Sequence, residues 1–152
     1  MPMTIKSPAF QHEHAIPPRH TCDGADVSPP LAWSGVPSAT KSLALICDDP
    51  DAPVGTWVHW VLFNIPATTR ELPESVAPEK TLAYGERQGR NGWGKTGYGG
   101  PCPPSGTHRY FFKLYALDQA LDLPPGVTKP EVEKAMEGHI LAHAQLMGRY
   151  KR

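Results

Sequence analysis

No stretch of this sequence approaches the roughly 18 consecutive apolar residues of a membrane-spanning helix. The opening Met1-Pro2-Met3-Thr4-Ile5-Lys6-Ser7-Pro8 lacks the basic segment and apolar core of a secretory leader. The expectation is a cytoplasmic protein with no integral membrane segment. Charge of either sign is not in excess: 15 Lys and Arg residues balance 15 Asp and Glu. A nucleic-acid binder needs a basic surplus to neutralise phosphates, so that class is set aside. Cysteine is scarce, with Cys22, Cys47 and Cys102 and no C-x-x-C pair. An odd, scattered set argues against a secreted disulfide framework and favours free thiols. A Cys22–Cys102 bridge stays open if their two loops meet. A G-x-S-x-G nucleophile elbow is absent, and so are internal repeats.

Proline and glycine are plentiful instead, with 18 and 14 of 152 residues. Proline breaks helix interiors and central strands, which excludes a helix bundle and points to a β-rich domain with long ordered loops. Three segments read as central strands. Trp57-Val58-His59-Trp60-Val61-Leu62-Phe63-Asn64 is dense in aromatic and β-branched residues with little polar alternation, the pattern of a strand buried on both faces. Ser42–Cys47 and Arg109–Leu117 are similar. Met3–Lys6, Thr81–Tyr84 and Leu146–Tyr150 are weaker candidates. One helix is predicted over Lys129–His143: Thr128-Lys129-Pro130-Glu131 resembles a capping box, with apolar residues following at helical spacing. No linker composition divides the chain, so residues 1–152 read as a single domain. The loop from Gly85 to Thr107 has 23 residues, a length that in a compact domain usually signals function.

Several motif matches fail on context. Gly89-Arg90-Asn91-Gly92-Trp93-Gly94-Lys95-Thr96 spells a phosphate-binding P-loop, and Gly92, Gly94 and Gly97 spell the dinucleotide fingerprint. Both mechanisms need a buried strand before the glycines and a helix after them, and neither flank can supply these. His139 and His143 lie one turn apart on the predicted helix, and His12 and His14 alternate, but zinc needs three or four ligands. No metal and no cofactor is expected.

What remains is a set of polar residues at the ends of the best strands. Asp48-Asp49-Pro50-Asp51-Ala52-Pro53 follows the first strand, His59 interrupts the second, and Gly99-Gly100-Pro101-Cys102-Pro103-Pro104-Ser105-Gly106-Thr107-His108-Arg109-Tyr110 leads into the third. A histidine within an apolar strand must be hydrogen-bonded or neutral. His108 and Tyr110 are two residues apart on a strand and therefore share a face. Two imidazoles and a phenol can converge on an anion, with Asp49 or Asp51 fixing the ring tautomers. Proline-rich walls would make the pocket rigid. Its ligand would be a phosphate, phosphomonoester or carboxylate.

These blocks, together with His59-Trp60-Val61-Leu62-Phe63-Asn64-Ile65-Pro66 and Tyr115-Ala116-Leu117-Asp118, resemble the signature segments of the phosphatidylethanolamine-binding protein family. The similarity is nearest its bacterial and archaeal Raf-kinase-inhibitor-like branch and runs from about residue 3 to 150. The resemblance implies an antiparallel β-sandwich with one or two short helices and a small anion cavity at one end. It implies a cavity of Asp49, Ala52, Pro53, His59, Pro103, Pro104, His108 and Tyr110, and a cis Ala52–Pro53 bond. Cys102 stands where eukaryotic members have glycine, and the Pro104–His108 segment is short. The longer C-terminal helical region of eukaryotic members has no counterpart here.

Three functions follow in order of support. The first is a non-catalytic module that binds a small anionic ligand and regulates a protein partner. The second is an inhibitor of a protease or kinase acting through surface loops, a role implied by the resemblance alone. The third, a weak hydrolase with His59 or His108 as general base, lacks a nucleophile and charge stabilisation. The chain is therefore read as a binding protein rather than an enzyme. The resemblance also implies a homodimer, for which exposed Trp57 and Trp93 would give a motive. The alternative is that both tryptophans line the ligand cavity or pack on their own loop.

Overall fold

The computed structural model describes residues 2–152. Among these residues, eight strands and one helix follow one another in the order β1 (Thr4–Lys6), β2 (Leu31–Ser34), β3 (Ser42–Asp49), β4 (Trp57–Pro66), β5 (Glu71–Leu72), β6 (Arg87–Gln88), β7 (Thr107–Leu117), α1 (Lys129–Met136) and β8 (Ile140–Lys151). A single 3-10 turn occupies Pro18–His20. The strands form two antiparallel sheets, ordered β1-β2-β5 and β6-β4-β3-β7-β8. The expected antiparallel sandwich is what the chain forms.

The large sheet is apolar on both faces, which explains why β3 and β4 show no polar alternation. On one face Leu43, Leu45, Cys47, Trp60, Leu62, Tyr110, Phe112 and Leu114 meet Met3, Ile5, Phe10, Leu31 and Trp33 from the small sheet and its flanks. On the other, Ala44, Ile46, Val61 and Phe63 are covered by Leu121, Val127 and, from α1, Val132 and Met136. Asp48 also lies on this second face. It is almost wholly buried and accepts hydrogen bonds from Lys129 Nζ at 2.7 Å and Lys113 Nζ at 3.2 Å. Those contacts pin the start of α1 to the sheet.

Four expectations need correction. The helix is shorter than its apolar spacing suggests. Glu131 Oε1 accepts the Thr128 N–H at 3.2 Å as the capping pattern requires, but the helix stops at Met136. Gly138 takes a φ of +79°, a conformation that favours glycine, and turns the chain into β8. From Ile140 onward the residues ladder along the whole of β7, so long-range pairing overrides local helical spacing. His139 consequently lies in the turn, bonded through Nδ1 to Asp118 Oδ1 at 2.9 Å, and His143 on a strand. The weak candidate Leu146–Tyr150 is the far half of that strand, whereas Thr81–Tyr84 contributes only an isolated bridge from Thr81 to Arg87.

The second correction concerns the cysteines. Cys22 and Cys102 are joined in a disulfide, because the Pro17–Pro30 and Gly85–Thr107 loops do meet, and Cys47 is the free cysteine, buried in the core. Third, the Ala52–Pro53 bond is trans. Hydrogen bonds hold that turn instead, from the Gly55 N–H to the Ala52 carbonyl at 3.1 Å and from the Asp51 N–H to Asp49 Oδ1 at 2.7 Å. The fourth, the position of Asp51, belongs to the site.

Candidate functional site

Four stretches of chain converge at one end of the large sheet around a cavity of about 200 Å³. Its walls come from the end of β3 and the loop after it (Asp49, Ala52, Pro53, Val54), the start of β4 (Trp57, His59), the long loop (Trp93, Cys102, Pro103, Pro104) and β7 (His108, Tyr110). Drug-sized pockets measure roughly 300–1,000 Å³, so this one suits a small group. The structure thus brings together Asp49, Ala52, Pro53, His59, Pro103, Pro104, His108 and Tyr110 from the sequence reading.

Asp51 stands apart, although it neighbours Asp49 in sequence. It lies past the end of β3, in the turn, and its carboxylate is held by Arg109. Arg109 Nε donates to its Oδ2 at 2.9 Å, Nη2 to its Oδ1 at 2.8 Å, and the backbone N–H of Arg109 to Oδ2 at 2.9 Å. Those bonds hold the Asp51 carboxyl down at about 2. Asp51 fastens the rim and is not in the cavity wall.

Two ring orientations are fixed by partners outside the cavity. His108 Nδ1 lies 2.7 Å from Asp49 Oδ2, and a carboxylate oxygen accepts, so Nδ1 carries the hydrogen. His59 Nδ1 lies 2.7 Å from the Gly99 carbonyl, which can only accept, so Nδ1 is again the donor. In each ring Nε2 is the atom left for a ligand. Burial lowers the His59 pKa below the ordinary histidine value, with the Gly99 hydrogen bond and the carboxylates of Asp49 and Asp48 acting in opposition. A neutral His59 with hydrogen on Nδ1 offers a lone pair at Nε2.

The aromatic side chains stack into a wall around His59. Its ring centroid is 5.0 Å from that of Tyr110 and 5.3 Å from that of Trp93, both edge-on, and Trp93 meets Trp57 edge-on at 5.5 Å. Gly99 permits this arrangement, since the Trp93 ring occupies the space a side chain there would need. Trp57 and Trp93 both line the cavity wall. Trp57 is thereby half-buried, while Trp93 lines the wall and keeps 45% of its surface exposed. Among the described residues, Trp57 Nε1 and Tyr110 Oη are buried without a hydrogen-bond partner. A buried hydroxyl left unpaired costs about 1–3 kcal/mol, and both atoms belong to cavity-lining residues.

A direct test follows for Tyr110. Replacing Tyr110→Phe removes a polar atom that the free protein does not satisfy, so thermal stability should hold or rise slightly. Phosphate binding should weaken about tenfold, since a hydrogen bond to a charged group contributes about 1.5–3 kcal/mol. Calorimetry and thermal unfolding on the same variant check both halves.

Val54, Trp57, Trp93 and Cys102 complete the wall beyond the residues the motif reading assigned to it. Trp57 was within reach of that reading, because strand alternation places Trp57 on the face of His59. The P-loop look-alike at Gly89–Thr96 is a tight turn with no helix after it. Its Trp93 and Lys95 amides are spent on Asn91 Oδ1, at 2.9 and 3.2 Å, and are not free to hold phosphate.

The comparisons with known proteins agree with this architecture. The family described as phosphatidylethanolamine-binding protein matches residues 6–151. A relative from Methanothermobacter thermautotrophicus, called UPF0098 protein, is 57% identical over 150 residues, covering 99% of each chain. Another UPF0098 protein, from Aquifex aeolicus, is 51% identical over 99% of this chain and 89% of its own. Among solved structures, CT736 of Chlamydia trachomatis, described as a homolog of phosphatidylethanolamine-binding protein, superposes with a TM-score of 0.92 at 42% identity, over 99% of this chain and 98% of that one. E. coli YbcL, described as a new member of the mammalian family, reaches a TM-score of 0.91 at 34% identity, over 100% and 99%. A β-sandwich with a small histidine- and tyrosine-lined cavity at one end of its large sheet is the class of protein seen here. The chain belongs to the phosphatidylethanolamine-binding protein family. Among the described residues, no helix is long and apolar enough to cross a membrane.

Proposed function

We propose that the cavity is a binding site for a small phosphorylated or carboxylated ligand and that the protein acts by binding rather than by catalysis. One observation carries this reading: four groups able to hydrogen-bond an anion, Trp57 Nε1, Tyr110 Oη and the Nε2 atoms of His59 and His108, belong to residues lining one small cavity. The first two lack any protein partner among the described residues, and the second two are left over after Nδ1 is engaged. No Lys or Arg lines the cavity, so positive charge can come only from protonating an imidazole. The single carboxylate, Asp49, is turned to orient His108 and to hold the Asp51 amide. A general base would need a nucleophile beside it. The lining offers no Ser, Thr or Lys, and its one cysteine, Cys102, is tied up in the disulfide.

Titration of the full chain with inorganic phosphate and with a phosphomonoester, followed by calorimetry, tests the proposal. His59→Ala and His108→Ala should each weaken binding about tenfold or more, because each removes a bond to charge worth about 1.5–3 kcal/mol. Unchanged affinity in both variants would overturn it.

A further inference from the structure

We propose that the Cys22–Cys102 cystine is a thiol–disulfide exchange site, opened by a low-molecular-weight thiol, and that its opening loosens the wall of the cavity. The bond lies where chemistry can reach it. Cys22 is exposed and Cys102 half-buried, and Cys102 is itself a lining residue of the cavity. A guanidinium stands over the two sulfurs. Arg152 Nη1 is 3.2 Å from Cys102 Sγ and 3.7 Å from Cys22 Sγ, and Arg152 Nε is 3.4 Å from Asp23 Oδ2, which steadies it. A cation beside a sulfur favours the thiolate and makes it a better leaving group.

The exchange balances as follows. A thiolate attacks the exposed Cys22 Sγ, forming a mixed disulfide and expelling Cys102 as a thiolate beside Arg152. A second thiolate attacks the outer sulfur of that mixed disulfide and releases Cys22. Two molecules of thiol are oxidised to their disulfide, the protein cystine takes the two electrons, and the two protons end on Cys22 and Cys102.

The coupling to the cavity rests on how the wall is held. Pro103 and Pro104 line the cavity and have no N–H to donate. The backbone ties recorded on this stretch fall outside them, from the Cys22 N–H to the Pro101 carbonyl at 3.1 Å and between Gly106 and Arg152 at 2.9 and 3.2 Å. Between those ties, among the described residues, the contacts that fix Cys102–Ser105 by bond or hydrogen bond are the cystine and the Arg152–sulfur contact. Opening the cystine therefore frees the stretch that carries the two prolines. A ligand must then order it on binding, which weakens affinity.

The experiment incubates the oxidised full chain with excess reduced glutathione under native conditions. Mass spectrometry should show glutathione adducts on Cys22 followed by the dithiol, while circular dichroism stays unchanged. Tryptophan emission, from Trp57 and Trp93 in the same wall, should shift as the bond opens. Affinity for inorganic phosphate should fall about three- to tenfold, the cost of ordering a few loop residues, and return on reoxidation. Arg152→Ala should slow opening about threefold or more by removing the cation beside the leaving sulfur. A Cys22→Ser, Cys102→Ser double variant that remains folded should reproduce the weakened binding without any thiol. A cystine that resists glutathione until the chain unfolds overturns the proposal, as does native opening with emission and phosphate affinity both unchanged. An oxidised chain that ignores phosphate would remove the binding reading alone, and the mass spectrum and tryptophan emission would still decide this one.

Discussion

Between pH 7 and pH 9, affinity for a phosphomonoester should fall about tenfold for every pH unit. His59 donates its Nδ1 hydrogen to the Gly99 carbonyl, so its Nε2 can meet an anionic oxygen only with a proton between them. That proton can arrive on the imidazole, which then faces a dianion, or on the ligand, which then donates to neutral His59. The proton count of the complex is the same either way. Free His59 has a pKa lowered by burial, and a free phosphomonoester loses its second proton near about 6. Above both values the free partners carry no such proton and the complex carries one. Linkage then gives a loss of about one decade of affinity per pH unit. Calorimetry in two buffers of different ionisation enthalpy should show proton uptake on binding. His59→Ala should bind weakly and with a shallower pH dependence. A wild-type affinity that is flat from pH 6 to pH 9 would mean that the ligand is held by Tyr110 and Trp57 without the imidazoles.

The fold was readable where one local pattern admitted one structure. β3, β4 and β7 are runs of large apolar residues too short for helices, and they became the centre of the large sheet. The cavity residues were readable because the polar exceptions to those runs sit at strand ends, and three such ends meet at one end of the sheet. Where several structures suit one pattern, the reading failed. The segment from Val132 to His143 satisfies helical spacing throughout. Only the eleven-residue β7 lying alongside decides that its second half is a strand, and pairing with β7 joins residues up to 44 apart. The cystine joins residues 80 apart, and nothing local to Cys22 or Cys102 announces the other. Asp49 and Asp51 are chemically alike and two apart. Which of them serves the cavity depended on Arg109, whose side chain leaves β7 on the face away from His108 and Tyr110 and takes Asp51. Trp57 and Trp93 posed the same difficulty, because an apolar ring beside a loop suits a partner or a cavity equally well.

Trp60→Ala should cost about 3–5 kcal/mol of stability, the range for removing a large aromatic from a core, and lower the melting temperature by about 10 °C or more. Trp60 is completely buried at the middle of β4, faces the inner layer of the sandwich and meets the Tyr98 ring edge-on at 5.6 Å. Its indole also carries a polar task. Trp60 Nε1 donates to Gln88 Oε1 at 2.8 Å, and Gln88 Nε2 in turn donates to the carbonyls of Ala77 and Glu79 at 2.7 and 2.8 Å. Trp60 thereby anchors the loop before β6 to the centre of the sheet. The two contributions separate with a second variant. Trp60→Phe keeps most of the apolar volume but leaves the fully buried Gln88 carbonyl without its donor, a penalty of about 1–3 kcal/mol. It should therefore melt between the wild type and Trp60→Ala. Because Trp60 is not among the residues lining the cavity and His59 is held through its own bond to the Gly99 carbonyl, folded Trp60→Phe should still bind phosphate through His59. If Trp60→Phe melts with the wild type, the Gln88 bond contributes nothing and packing alone sets the cost. If it melts with Trp60→Ala, the loop before β6 depends on that one hydrogen bond.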